Sequence, residues 1–342
     1  MKCADPVLCY TGPTKKLYRH WSMASPIVRQ FHQQVFNCGK CLFCRKNKSR
    51  ELATRCVLHA SIYKQNCFIT LTYDEKKEGY NNVFHYPDIQ KFKKRYRQYV
   101  WRTFRRRIEI FNVHEYGSNG KKHWHLIVFN HDFSVEMQGK DPNRRPDRTI
   151  HTRKNGIPLY TSHKLSELWP YGFNTVGDVS EASAMYQAQY TQKDFKYNHA
   201  GTNKKSHSKH AGIGKPFFLL HYKQILTLGF IPFDGSRLPI PRYFEKIAHR
   251  HFCHFYDQSA FAKLPDRKPI HRPFKDPKEA NQEIADLYKN YVLHKQEKIK
   301  ILIEEWDEVI SQYVNTQQEP DFVLALDNAK YDLKNKLHTD VF

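Results

Sequence analysis

Apolar and polar positions change period repeatedly along the chain. In 45–63, Leu52, Cys56 and His59 or Ala60 recur at helical spacing, with basic residues filling the other faces. The run "NCFITLTYD" is β-branched and aromatic with a turn-like end, which predicts a strand over 66–74. Pro87 and Asp88 then open a helix with an apolar stripe of Ile89, Phe92, Tyr96, Tyr99/Val100 and Thr103. "EIFNVHEYG" predicts a strand, Asn119-Gly120 a hairpin turn, and "HWHLIVFN" the returning strand. Residues 131–160 are polar and rich in Pro and Arg, so a loop is expected there. A short strand over 172–180 precedes a helix from about 181, with Ser180 or Ser183 as its N-cap. Residues 198–215 predict a basic, Gly-rich loop. A Pro-rich linker near 265–277 leads to a long amphipathic helix, interrupted near Lys295, and a short helix over 320–338. No internal repeat is present.

These elements predict an α+β protein: an antiparallel β-sheet core with helices packed on one face. Three segments follow in series. Residues 1–60 are Cys-rich and basic, 61–260 form the catalytic-type domain, and 261–342 form a linker and helical C-terminal extension. The extension's amphipathic face suits a partner, self-association or packing on the domain before it.

Composition narrows the partner. The 342 residues carry 56 Lys and Arg against 34 Asp and Glu, a formal net charge of +22. Such an excess is self-repulsive unless a polyanion relieves it, and nucleic acid is the first candidate. With 21 Tyr and 23 Phe, the chain also has aromatics to stack unpaired bases. No apolar run is long enough to span a bilayer, and the N-terminus lacks a signal-peptide core, so no membrane role and a cytoplasmic location are expected. Three basic stretches are candidate DNA contacts: Arg45, Lys46, Lys48 and Arg50; Lys91, Lys93, Lys94, Arg95, Arg105 and Arg106; Lys204, Lys205 and Lys215. The phosphate-binding motif Gly-x-x-x-x-Gly-Lys-[Ser/Thr] is absent, so duplex opening would fall to a host helicase or to supercoiling.

Seven of the eight cysteines lie in the first fifth of the chain. Cys38, Cys41 and Cys44 form C-x₂-C-x₂-C, a spacing suited to tetrahedral Zn²⁺. Cys3 and Cys9 compete to be the fourth ligand, and an iron–sulfur cluster or metal-free thiols are the alternatives. Within "HWHLIVF", alternation puts His123 and His125 on one face and Trp124 on the other. Two same-face imidazoles can share a cation, and Glu115 on the partner strand could add an oxygen. Tyr186, Tyr190 and Lys193 fall near one helix face. Tyrosine can serve as a covalent nucleophile, and a nearby cation assists it. Core packing of the tyrosines is the alternative.

A strand, then His-Trp-His, then Tyr-x-x-x-Tyr-x-x-Lys resembles the HUH endonucleases, in which U is a hydrophobic residue. "CGKCLFCRKNKSRELATR", "FITLTYDE", "EYGSNGKKHWHLIVF", "LWPYGFNTVG…SAMYQAQYTQK" and "KHAGIGKPFF…PIPRYFEK" together resemble the replication initiator of gokushovirus-type microviruses, small single-stranded DNA bacteriophages. The likeness covers roughly residues 1–250. It implies Mg²⁺ or Mn²⁺ on His123, His125 and Glu115, whereas imidazole alone favours Zn²⁺ or transition metals. It implies attack by Tyr186 or Tyr190 on single-stranded or origin DNA, a 5′-phosphotyrosyl link and a free 3′-OH for a host polymerase. It also implies rejoining by the second tyrosine, action in the bacterial host cytoplasm, and Cys3, within the family's Cys-x-x-Pro, as the fourth zinc ligand. The family's second lysine after the tyrosines is Asp194 here. Rival readings are an HUH transposase or relaxase, and a non-catalytic zinc protein that binds nucleic acid.

Overall fold

A computed structural model describes residues 7–11, 17–18, 33–36, 38–39, 41–77, 84–117, 120–134, 148–154, 156–193, 206–207, 212–262 and 268–314. Two compact units emerge, one of Lys48–Leu220 and one of Met1–Asn47 with His221–Phe342. The second unit draws on both ends of the chain, unlike a serial division at 60 and 260.

The first unit is built on an antiparallel sheet of β4 (Asn66–Tyr73), β5 (Glu109–Tyr116), β6 (Lys122–Phe129), β7 (Arg148–Lys154), β8 (Ile157–Ser162) and β9 (Gly172–Asp178). Their order is β5-β6-β4-β9-β8-β7, and the two-residue β10 (Ser206–His207) pairs outside β5. Residues 148–162 therefore hold two strands where the sequence predicted a loop. Their polar, Pro-containing sequence suits an outer position, where β8 meets β9 in register only at Tyr160 and Val176.

Four helices flank this sheet: α1 (Leu42–Ala60), α2 (Tyr86–Phe104), α3 (His163–Leu168) and α4 (Glu181–Lys193). They cover both faces, not one as expected. Ile69, Leu71, Trp124, Leu126 and Val128 pack with Ile89, Phe92, Tyr96 and Val100 of α2 and with Leu165 of α3. Phe111, Val113, Ile127 and Phe129 pack with Ala53 and Cys56 of α1 and Ala184 and Ala188 of α4. Hydrophobic residues at both parities of β5 and β6 are the cause, since each parity feeds one face.

Local signals set the boundaries. Pro87 lies at the first turn of α2, and Arg105 ends it in the left-handed conformation, its N–H donating to the Trp101 carbonyl. Ser180 caps α4: its Oγ accepts from the Ser183 N–H at 3.1 Å, while the Ser183 Oγ accepts from the Ser180 N–H at 2.8 Å. Gly172 permits β9 to start beside β4, because a Cβ there would lie 2.3 Å from the Thr72 carbonyl oxygen.

In the second unit, β1 (Val7–Thr11) lies between β2 (Leu17–Tyr18) and β3 (Gln33–Phe36). The helix α5 (Lys215–Leu228) runs across the unit boundary at Leu220. It is followed by the hairpin β11 (Ile231–Phe233) and β12 (Ser236–Leu238), and by α6 (Arg242–Tyr256) and α7 (Gln282–Val314). The long helix begins at Gln282, after a separate 3-10 turn at Pro277–Glu279, and runs unbroken past Lys295. Lys295 bonds Glu245 of α6 at 3.0 Å, and Tyr291 donates to the same carboxylate at 2.7 Å. Among the described residues, no helix is long and apolar enough to cross a membrane. The helix expected over 320–338 lies outside the described residues.

Candidate active site

The site occupies the sheet face that α1 and α4 cover. The β4–β6 register sets Thr70 opposite His125 and Thr72 opposite His123, and the β5–β6 register sets Glu115 opposite His123. Strand alternation turns all five side chains toward one face, while Trp124 enters the opposite core. His123 and His125 therefore share a face as the spacing predicts, with ring centroids 6.2 Å apart.

Each imidazole is held from behind by a threonine. The Thr70 Oγ1 lies 3.0 Å from the His125 Nδ1, and the Thr72 Oγ1 lies 2.9 Å from the His123 Nδ1. A hydroxyl both donates and accepts, so it can hold a ring in either tautomer. The Nε2 of His125 reaches the Glu115 Oε1 at 2.8 Å. The Nε2 of His123 faces the turn, and a Cβ at Gly117 would stand 2.7 Å from it. Burial, His125 and Lys121 lower the His123 pKa, with Glu115 opposing them. That shift favours the neutral, lone-pair form that ligates metal.

Tyr186 completes the cluster. Its hydroxyl donates to the Glu115 Oε1 at 3.2 Å, and its ring meets His125 edge-on at 5.4 Å. Phe68 stacks on His125 at 5.6 Å, forming an apolar wall. Tyr186 is 41% exposed, which removes the core-packing alternative for it. The face of α4 that is buried instead carries Ala184, Ala188 and Gln187, whose Nε2 donates to the Phe111 carbonyl at 2.7 Å. This anchor fixes the helix against β5 one residue from the phenol. Tyr190 and Lys193 lie on the later turns of the same helix.

Thr70, Thr72 and Gln187 escaped the sequence reading. The threonine signal is visible in "FITLTYD", where Thr70 and Thr72 alternate with Ile69 and Leu71. It acquires meaning only once the pairing register is known.

The basic residues divide. Lys48 and Arg50 are exposed on α1, the helix over the site face, whereas Lys91 and Lys94 are exposed on α2, across the sheet from it. Lys93 corrects the surface reading: it is 9% exposed, and its ammonium donates to the Asn112 Oδ1 at 3.0 Å. Burial, with Arg97 adding to it, pulls its pKa down to about 8. The Arg95 guanidinium is also inward, donating twice to the Leu168 carbonyl at 3.2 and 2.7 Å. Arg106 bonds the Gln65 side chain. Arg105 and Lys46 are exposed, and Arg45 and Lys215 are half-buried. Lys204 and Lys205 lie outside the described residues.

A second cluster opens α1. The sulfurs of Cys38, Cys41 and Cys44 all lie within 4.8 Å of one another, with the Cys38 and Cys44 sulfurs 3.9 Å apart. The Cys41 N–H donates to the Cys38 sulfur at 3.3 Å, and the Cys44 N–H to the Cys41 sulfur at 3.5 Å. Amide donors aimed at sulfur stabilise the thiolate that binds metal. Cys3, expected as the fourth ligand, lies outside the described residues.

A family model for replication-associated proteins of the ORF2 type matches residues 66–195. The chain is 31% identical over 230 residues to replication-associated protein ORF4 of Chlamydia phage 1, covering 65% of this chain and 55% of that relative. It is 29% identical over 261 residues to replication-associated protein VP4 of Bdellovibrio phage phiMH2K, covering 72% and 76% of the two. Replication-associated protein ORF2 of Spiroplasma virus 4 is 32% identical over 228 residues, covering 62% of this chain and 67% of that protein. The chain thus spans 55% of the Chlamydia phage relative's length. No solved structure matches it. The matched segment runs from the start of β4 through the tyrosine helix and so holds the whole cluster just described, and the chain belongs to the family of phage replication-associated proteins.

Proposed function

We propose that this protein initiates phage DNA replication by nicking single-stranded origin DNA through a tyrosine, and later rejoins the strand. The observation that carries the reading is the single carboxylate of Glu115, which receives the Tyr186 hydroxyl at 3.2 Å and the His125 Nε2 at 2.8 Å. A nucleophile and a cation site thereby converge on one point. In the reaction, the Tyr186 or Tyr190 phenol oxygen attacks the scissile phosphorus as the bond to the 3′-oxygen breaks. The phenol loses its proton, the departing 3′-oxygen gains one, and a 5′-phosphotyrosyl link and a free 3′-OH remain. Glu115 is the nearest acceptor for the Tyr186 proton. Rejoining reverses the exchange: a 3′-OH attacks the phosphotyrosine and frees the phenol. The second tyrosine would accept the strand after one round of copying, and Lys193 would supply positive charge beside it.

Residues His123, His125 and Glu115 would hold Mg²⁺ or Mn²⁺, which polarises the scissile phosphate. The donor set fits, since both rings are gripped at Nδ1 and offer Nε2, an arrangement that orients imidazole ligands. Zn²⁺ on Cys38, Cys41 and Cys44 would tie the N-terminal segment to the start of α1. Exposed Lys48 and Arg50 would contact phosphates of the bound strand, with affinity falling steeply as salt rises. A host helicase and polymerase would open and copy the duplex.

The test is to incubate the protein with single-stranded origin DNA and Mn²⁺ and search by mass spectrometry for a nucleotide on Tyr186 or Tyr190. An adduct that disappears in the Tyr186→Phe, Tyr190→Phe double variant is expected. A folded protein giving no adduct with any divalent ion would overturn the reading.

A further inference from the structure

A second group of metal-ligating side chains lies in the unit formed by 1–47 and 221–342. His249 and Cys253 sit four residues apart on α6, so both project from one side of the helix. His271, in the segment between α6 and α7, meets them there, and one ligand atom from each lies within 4.8 Å of the others. The His249 Nδ1 is 2.7 Å from the His271 Nε2, and the Cys253 sulfur is 3.8 Å from the same His249 nitrogen. Around a tetrahedral zinc, with Zn–N near 2.0 Å and Zn–S near 2.3 Å, neighbouring donors stand about 3.3–3.6 Å apart. The two observed spacings bracket that range, so shifts of a few tenths of an ångström would seat an ion.

The segment carrying His271 is held in place independently of any ion. The His271 N–H donates to the Ala260 carbonyl at 3.1 Å. The Arg250 guanidinium donates to the carbonyls of Arg272 and Pro273 at 2.8 and 2.7 Å. Its cation also lies 3.9 Å from the Phe274 ring centroid. These contacts place His271 before a metal arrives, which reduces the ordering cost of binding. Cys253 is fully buried and the two histidines half-buried, so the thiol forms the floor and the imidazoles face outward. Burial, His249, Arg250 and Lys246 hold the His271 pKa down to about 4, leaving it neutral at physiological pH.

We propose that His249, Cys253 and His271 form a Zn²⁺ site, distinct in its residues from the cysteine cluster at 38–44, that staples the 268–274 segment to α6. The soft thiolate and two imidazoles suit zinc and exclude Mg²⁺ or Ca²⁺, which take oxygen ligands. Three protein donors leave one position of a tetrahedral ion for water. The site fixes the approach to α7, so its work is structural and independent of the nicking chemistry.

The test loads full-length protein with Zn²⁺, removes excess by dialysis and counts metal per chain by plasma mass spectrometry. The Cys253→Ser, His271→Gln double variant is expected to lose one equivalent relative to the wild type, while Cys41→Ser, Cys44→Ser keeps that equivalent. An unchanged zinc content in a double variant with wild-type circular dichroism overturns the site and leaves only a hydrogen-bonded histidine pair. Should the double variant fail to fold, Co²⁺-loaded His271→Gln decides. Loss of one thiolate-to-cobalt absorption component supports the site, and a spectrum identical to the wild type's overturns it.

Discussion

The two faces of the central sheet use the same strands for opposite purposes. On β6, Trp124 is 1% exposed and packs in the core beneath α2, where its indole N–H donates to the Tyr73 hydroxyl at 3.1 Å. Its neighbours His123 and His125 turn to the other face and meet Thr72, Thr70 and Glu115. One face gains stability from apolar area and the other sets out polar groups at fixed spacing. The pleat lets both proceed along eight residues, and the packed face holds the polar one rigid.

Substituting neighbours separates the two roles. His125→Ala should reduce nicking by about 10²–10³-fold or more, as loss of a group that stabilises the transition state does. Stability should change little, since Thr70 and Glu115 can turn to solvent. Trp124→Ala should instead cost about 3–5 kcal/mol, read as a lower midpoint in urea unfolding. If both substitutions lower stability equally, the division of labour between the faces fails.

The threonines sharpen the comparison. Thr70→Val and Thr72→Val preserve shape and remove the groups behind each Nδ1. Metal affinity or nicking should fall about 10–100-fold, the usual effect of losing a partner of a ligating histidine. Titrating Mn²⁺ against nicking rate checks this, and an unchanged half-saturating concentration argues that the hydroxyls only fill space.

The smallest effect tests the polar intruder in the packed face. Lys93 has its native pKa lowered to about 8 by burial and Arg97. Between that value and the ordinary lysine value near ~10.4, the unfolded chain binds more protons than the folded one. Stability from this group therefore rises with pH across that window, by at most about 1.4 kcal/mol per pH unit. Urea unfolding at several pH values should show the Lys93→Met variant lacking that part of the slope.

Much of this arrangement was legible beforehand because its signals are local. Alternation in "HWHLIVF" separated Trp124 from the histidines, and Tyr186 fell on a helix with a recognisable cap at Ser180. The strands at 148–162 were hidden because short, polar, Pro-containing outer strands carry no apolar alternation. Helices on both faces were missed because a stripe shows that a helix packs without showing against what. Lys93 read as surface charge since nothing nearby in sequence announces Asn112, its partner from β5. His249, Cys253 and His271 drew no attention, since 22 residues separate the outer two and the chain holds 20 histidines.

By itself the sequence determined the period of each element, the excess positive charge, the shared face of His123 and His125, and the thiol spacing at 38–44. Tertiary structure alone decided that Thr70 and Thr72 stand behind those rings, that Glu115 joins His125 to Tyr186, and that Lys93 is internal. The physical reason is range. Periodicity and capping act within one or two turns of chain, whereas register and helix docking are settled by burying apolar surface between segments far apart in sequence.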